Sequence, residues 1–366
     1  MSHLEQWENR KVMLERVKKL RENLCANSCD GFFSLNPAAN QYLTGFRGST
    51  SAVIVTRKEE FFFCDSRYTE QARAEVVGFP VEEISGDICV RVAERLQSVG
   101  CQVAAYEPES LTVGALRTLE KNYLGRLRDV PGVLSNLRRV KDENEIAAID
   151  GALRIAESVL VDVLKGLAPG VTEREVAAKI DYEMKLRGAE APSFDTIVLF
   201  GKRTSLPHGK PGDARLSEGD VVLLDFGCKW RGYCSDLTRT TVFGSMHPDW
   251  FGHVYQTVLN AQLAALAAAK AGMTCRELDA VARTIISEAG FGQYFGHGLG
   301  HGLGIEIHEA PRLNPQSEVV LEPGMVVTVE PGIYIPGQGG VRIEDVIVVT
   351  SVGCRVMTRA SKELAR

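Results

Sequence analysis

The sequence predicts an α/β chain of two domains, the second built from two copies of one unit. Three observations predict it. The length of 366 residues accommodates about two domains. Residues 1–137 alternate helical and strand-like stretches, the pattern of a mixed sheet covered by helices. Beyond residue 138, LAPGVTEREVAAKIDYEMKLRGAE resembles AKAGMTCRELDAVARTIISEAGF when the two are aligned on Gly170 and Gly272.

Composition narrows the class. Hydrophobic residues make up 45% and charged residues 24%, as in soluble globular proteins. A formal charge of -5 leaves no basic footprint, so no nucleic-acid partner is expected. No stretch approaches the roughly 18 apolar residues of a membrane span, so no membrane partner is expected either. Nine cysteines without a C-x-x-C pair suggest reduced thiols in a cytoplasmic protein, most of them buried as small apolar groups.

The elements follow in order. Residues 1–24 are charged throughout and unlike a signal peptide, and Met13, Val17, Leu20 and Leu24 fall at helical spacing. Residues 51–56 and 60–65 read as neighbouring strands joined by a turn at RKE. GDICVRVAERLQSVG reads as a helix ending at Gly100, and CQVAAYE as a short buried strand. The charged LRRVKDEN marks the domain boundary, between 137 and 138. A long amphipathic helix follows, capped by Asp142 with Glu145, carrying Ile146, Ile149, Leu153, Leu160, Val163, Leu164 and Leu167 on one face and ending at Pro169-Gly170.

The repeat then begins. Thr172 with Glu175, and Thr274 with Glu277, form a capping box at the start of each copy's helix. HGKP at 208–211 matches HEAP at 308–311, and EGDVVLLDFG matches PGMVVTVEPG. Asp225 thereby falls opposite Glu330 and, after a small insertion, Asp236 opposite Glu344.

These acids are the candidate site. Asp225 and Asp236 lie in VVLLDFGCKWRGYCSDLTRTTVF, Glu330 and Glu344 in VVTVEPGIYIPGQGGVRIEDVIVV. A carboxylate buried without a partner is costly, so paired acids in apolar strands call for a cation between them. Across a two-residue turn at Gly232, Asp225 and Asp236 share one face, directly opposed or diagonal. Glu330 and Glu344 have the other parity, and need an odd loop or a bulge at GQGG to meet. The fifth candidate ligand is His301 in FGHGLGHGLGIEIHEAP. His297 and His301 have zincin spacing, but the central Glu is missing and the glycines oppose a helix. An extended strand puts both histidines on one side. The stretch lacks the Lys of a phosphate cradle. His3, His247 and His253 read as ordinary structural residues. Four carboxylates and one imidazole form an oxygen-rich set that suits Mn(II) first, then Co(II) or Zn(II). Two such ions would share a water and lower its pKa.

The pattern resembles the proline-specific members of the pita-bread metallopeptidases, Xaa-Pro aminopeptidase and Xaa-Pro dipeptidase (prolidase). The resemblance covers nearly the whole chain. NQYLTGFRGSTSAVIVT and FCDSRYTEQA resemble the family's N-terminal domain, RRVKDENEIAAI its linker helix, and all five ligand types occur in the family's order and spacing. It implies a creatinase/prolidase-type α/β domain at 1–137 and a pita-bread catalytic domain at 138–366. It implies two divalent metal ions on Asp225, Asp236, His301, Glu330 and Glu344, with Asp236 and Glu344 bridging and Glu330 also the general base. His208 would bind or protonate around the scissile nitrogen, His297 and His308 would line the site and stabilise the tetrahedral intermediate, and Arg342 would stand behind the ligands. The implied activity is hydrolysis of the Xaa-Pro bond at the N-terminus of peptides by a homodimer. The alternatives are an Xaa-Pro dipeptidase and, more remotely, a non-catalytic binding protein on the same fold.

Overall fold

The computed structural model describes residues 3–363, with side chains from Arg10 onward. Met1 and Ser2 of the expected first helix, and the side chain of His3, lie outside the described residues. The chain divides into two compact units, Met1–Arg138 and Arg139–Arg366.

The first unit runs α1 (His3–Ala26), β1 (Gly31–Ser34), α2 (Pro37–Thr44), β2 (Ala52–Thr56), β3 (Glu60–Asp65), α3 (Thr69–Glu75), β4 (Val81–Ile84), α4 (Ile88–Ser98), β5 (Val103–Tyr106), α5 (Val113–Asn122) and β6 (Arg126–Asp129). Its strands form one mixed sheet in the order β4-β3-β2-β1-β5-β6. The β1, β2 and β3 pairings are antiparallel, and the outer pairings, which need helical crossovers, are parallel. The apolar runs of β2 and β3 pair as the sequence suggests, Ala52 with Phe63 through Val55 with Glu60. On α1, Val17, Leu20 and Leu24 are buried. Among the described residues, no helix is long and apolar enough to cross a membrane.

The second unit opens with α6 (Glu143–Lys165), α7 (Glu173–Leu186), β7 (Ala191–Pro192), β8 (Ile197–Phe200), β9 (Val221–Phe226), β10 (Cys228–Trp230), β11 (Tyr233–Cys234) and β12 (Leu237–Val242). It continues with α8 (Asp249–Ala268), α9 (Cys275–Glu288), β13 (Gly300–Gly302), β14 (Glu309–Leu313), β15 (Val326–Val329), β16 (Gly332–Ile335), β17 (Gly339–Arg342), β18 (Asp345–Val349) and β19 (Cys354–Val356). The capping box on α6 forms as expected, but the helix stops at Lys165, short of Pro169-Gly170. Gly166 closes it by donating back to Asp162 and Val163, and Gly170 then donates to the Leu216 carbonyl. Leu167 therefore lies beyond the helix, half-buried, yet still packs against the core cluster that the apolar face of α6 forms.

The duplication extends to individual hydrogen bonds. Gly170 N–H donates to Leu216 O at 2.8 Å, and Gly272 N–H to Leu321 O at 2.9 Å. Glu173 to Ala214 recurs as Cys275 to Val319, and Arg174 to Gly212 recurs as Arg276 to Ser317. Both predicted capping boxes form, on α7 and on α9. Each half thus ties the start of a helix to the approach of its ligand strand by the same bonds. One core cluster packs α6 and α7 on β8, β9 and β10, and another packs α8 and α9 on β15–β18.

Candidate metal centre

Each half supplies one long hairpin. In the first, Thr238 pairs with Asp225 and Leu237 with Phe226, and the same register runs on through Lys229–Cys234 and Trp230–Tyr233. Arg231 and Gly232 both have positive φ, 49° and 78°, as a two-residue type I′ turn requires. Asp236 therefore lies diagonal to Asp225, across from Gly227. A Cβ on Gly227 would meet the Ser235 carbonyl at 1.9 Å, so only glycine lets the ladder pass here.

In the second hairpin, Val329 pairs with Asp345 and Gly332 with Arg342 in one register. That register sets Glu330 directly across from Glu344. The loop is Pro336, Gly337 and Gln338, the odd loop that the parity of the two glutamates demands, with Gly337 at φ 79°.

The two hairpins meet edge to edge. Glu344 N–H donates to Thr238 O at 3.2 Å, and the Thr240 hydroxyl bonds both the N–H and the carbonyl of Arg342. This seam brings Asp225, Asp236 and Glu344 together: one carboxylate oxygen from each lies within 4.8 Å of the others. His301 and Glu330 stand beside them. His301 Nε2 is 3.3 Å from Glu330 Oε1 and 3.6 Å from Asp236 Oδ2. A register shift between His301 and Gly302 on β13 turns the ring toward the acids. Its Nδ1 faces the Gly302 carbonyl at 3.0 Å and so carries the proton, leaving Nε2 free as a ligand. The Thr328 hydroxyl accepts from His301 N–H and donates to Glu330 Oε1 at 3.1 Å.

Electrostatically the cluster is unbalanced. Asp225, Asp236 and Glu344 are nearly fully buried, and Glu330 is 18% exposed toward the cavity. Arg342 is their fixed cation: it ion-pairs with Asp225, donates to the Thr238 hydroxyl at 3.1 Å and donates to the Tyr334 hydroxyl at 2.6 Å. Burial, then the neighbouring carboxylates, raise Asp236 and Glu344 far above the ordinary carboxylate range. Burial raises Asp225 too, against the pull of Arg342. Burial also acts on Glu330, but the His301 imidazole 3.3 Å from its Oε1, with His297 and Arg342 beyond, outweighs it and holds that group at about 2 in the metal-free site. Asp225 Oδ1 and Glu344 Oε1 are buried without a hydrogen-bond partner. Orphaned oxygens on two of three converging acids, plus an imidazole nitrogen with a free lone pair, form a donor set that fits hard or borderline divalent cations.

The acids open onto a cavity of about 560 Å³ lined by both halves, including Phe194, Ile197, His208, His297, His308 and Arg312. All nine residues predicted for the site are near one another, and eight line this cavity; Glu344 lies behind it. The two His-x-x-Pro stretches adopt different structures. His208 is exposed on an irregular loop, whereas His308 precedes β14 with its ring 4.4 Å from that of His301. His297 Nδ1 donates to Gly298 O at 2.7 Å, so Nε2 accepts from the Tyr334 hydroxyl at 3.0 Å. Desolvation lowers the pKa of His297 and, with the adjacent His301, lowers His308 to about 4. Burial pushes Tyr334 up to about 12, which keeps its proton in place. Sequence reading missed Tyr334, Thr238 and Thr328. The one signal was their position on strands that carry or flank the ligands. His247 and His253 lie elsewhere, against Phe251 and Phe291.

Comparison with known proteins agrees with this geometry. Residues 16–140 match the creatinase/prolidase N-terminal domain and residues 147–351 match metallopeptidase family M24. The chain is similar to the Xaa-Pro dipeptidase of Pyrococcus horikoshii, 39% identical over 356 residues, with 96% of this chain and 99% of that protein covered. It superposes on the structure of an Xaa-Pro dipeptidase from Bacillus anthracis with a TM-score of 0.93 at 41% identity, covering 96% and 99% of the two chains. It also superposes on an X-Pro aminopeptidase from Thermotoga maritima with a TM-score of 0.86 at 37% identity, covering 92% and 97%. A duplicated catalytic unit with converging acids, following a creatinase-type domain in the sequence, thus places this chain in metallopeptidase family M24: it is a metal-dependent peptidase of the pita-bread fold.

Proposed function

We propose that the chain hydrolyses the bond between an N-terminal residue and a proline in the second position, with two divalent cations held by Asp225, Asp236, His301, Glu330 and Glu344. The observation that carries the metal reading is charge: four clustered carboxylates face one fixed cation, Arg342. A single divalent ion would leave net negative charge buried, and a second removes it. Bound there, the cations supply a water of lowered pKa and a polarised substrate carbonyl. The proline preference is supported by the relatives named above.

The chain's own residues have distinct parts. Glu330 is ionised and faces the cavity, so it can take the proton of the attacking water. His308 is neutral near pH 7, and its N–H group serves the developing oxyanion. His297 is neutral too, but its N–H is held by Gly298 O and its Nε2 by the Tyr334 hydroxyl, so it lines the site and fixes Tyr334. The proline nitrogen must gain a proton to leave, and His208 at the rim is the group free to deliver it. Mn(II) is the first choice of ion on donor chemistry, with Co(II) or Zn(II) next. A cytoplasmic homodimer is part of the same reading, and light scattering in solution tests the dimer.

Sequence reading ranked aminopeptidase action on longer peptides first. Arg312 supports dipeptides instead. Its guanidinium lines the cavity with no hydrogen bond or ion pair among the described residues, the setting for a free carboxylate just beyond the proline. The test is hydrolysis of Ala-Pro against Ala-Pro-Ala in Mn(II), for the natural chain and Arg312→Ala. The substitution should raise KM for the dipeptide by about tenfold and leave the tripeptide unchanged. Equal effects on both would remove the dipeptide reading, and no cleavage of either would remove the proline reading.

A further inference from the structure

We propose that Arg239, with the irregular segment Thr358–Lys362 that it holds, positions the metal-ligating backbone, so that this segment is a working part of the metal centre although it never reaches the cavity. The inference rests on the metal reading above.

Arg239 is 4% exposed and spends every donor it has. Nη1 donates to Thr238 O at 2.9 Å and to Glu344 O. Nη2 donates to Asp345 Oδ1 at 2.9 Å and to Ala360 O at 2.7 Å, and Nε donates to Ser361 O at 3.1 Å. One planar group thereby joins the seam between the two ligand hairpins to residues 360–361. Three of its partners are the carbonyl of the ligand Glu344, the carboxylate next to it in sequence, and a carbonyl two residues from the ligand Asp236.

The segment is in turn tied to both halves. Glu157 on α6 accepts from the N–H groups of Arg359 and Ala360. The Thr358 hydroxyl accepts from Val346 N–H on β18 at 2.9 Å. Tyr255 on α8 donates to Lys362 O at 2.6 Å, and Lys362 reaches Gln262 and the fully buried Asp345. A segment with no ladder of its own is held by side chains from α6, β12, α8 and β18. Held so, it prevents the two hairpins from sliding along their seam, and sliding would separate Asp236 from Glu344. Groups that orient ligands in this way control metal affinity as much as the ligands do. A lysine cannot substitute, because three donors on a point charge cannot span five acceptors in a plane.

Arg239→Lys is the direct test, read by Mn(II) calorimetry and by the electron paramagnetic resonance of the loaded protein. The natural chain should bind two Mn(II) with a spin-coupled signal. The variant should bind about tenfold or more weakly, with the coupling altered and kcat reduced at unchanged KM. Unchanged affinity and coupling would overturn the positioning role. If Arg239→Lys fails to fold, Lys362→Met carries the test: it removes one of the two cations on Asp345, and with it the tie from the segment to that carboxylate, and leaves Arg239 in place. Weaker Mn(II) binding supports the proposal and unchanged binding overturns it. A natural chain that binds fewer than two Mn(II) would fail the metal reading itself, and this inference with it.

Discussion

At the scale of single residues, Asp236 and His208 separate binding from turnover. Asp236 is buried, raised in pKa and adjacent to three other acids. Asp236→Ala should abolish hydrolysis and lower metal stoichiometry while the metal-free protein melts no lower than the natural one, because a repelling group has been removed. Circular dichroism and metal analysis check it, and full activity in Mn(II) would end the two-ion mechanism. His208 is exposed at the rim and has no ligand role in this reading. His208→Ala should lower kcat by about a hundredfold with metal content intact, and a variant depleted of metal would contradict that. The role of His208 came from the resemblance to the family, whereas Asp236 was legible because it sits with a second acid in apolar strands. Tyr334 was not, because its value comes from standing between Arg342 and His297, a relation set by two strands and a loop.

At the scale of elements, close backbone approach carries the site. A Cβ on Gly300 would lie 2.1 Å from the Thr328 carbonyl, so β13 and β15 could not pack as they do. Gly300→Ala should cost about 1–3 kcal/mol in stability and weaken metal binding through the adjacent His301. Gly296→Ala, where nothing lies within 4 Å of the added carbon, should do neither. Urea denaturation and Mn(II) titration compare the two, and equal behaviour would remove the close-approach argument. The hairpins were partly readable in advance: a two-residue turn at Gly232 put Asp225 and Asp236 on one face, and the parity of Glu330 and Glu344 required an odd loop or a bulge, of which the structure has the odd loop. The end of α6 was not: Pro169-Gly170 is a sound stop signal, but the tie from Gly170 to Leu216 ended the helix sooner.

For the whole molecule, the shared acids couple stability to pH and metal. Asp225, Asp236 and Glu344 have pKa values raised in the fold, so the folded chain keeps protons that the unfolded chain releases above about pH 4. Their contribution is present at low pH and is lost as pH rises through the raised values. Glu330, held at about 2, acts in the opposite sense and loses its contribution only as pH falls toward that value. Three groups against one predict that, apart from the rest of the protein, this centre makes the metal-free chain less stable from pH 5 to pH 8. The rise in melting temperature on adding Mn(II) should therefore be larger at pH 8 than at pH 5. Scanning calorimetry with chelator and with Mn(II) measures it, and a larger gain at pH 5 would refute the scheme. The sequence by itself determined the α/β class, the duplicated unit, its capping boxes and the five candidate ligands, because periodicity, turn chemistry and the cost of burying acids are local or pairwise; the roles of His208, His297, His308 and Arg342 came only from the resemblance to the family. Only the tertiary structure decided the seam that joins the hairpins, the free lone pair of His301, the Arg342–Tyr334–His297 chain and the segment held by Arg239. Those depend on distances between strands far apart in the chain, which close only when the two halves pack.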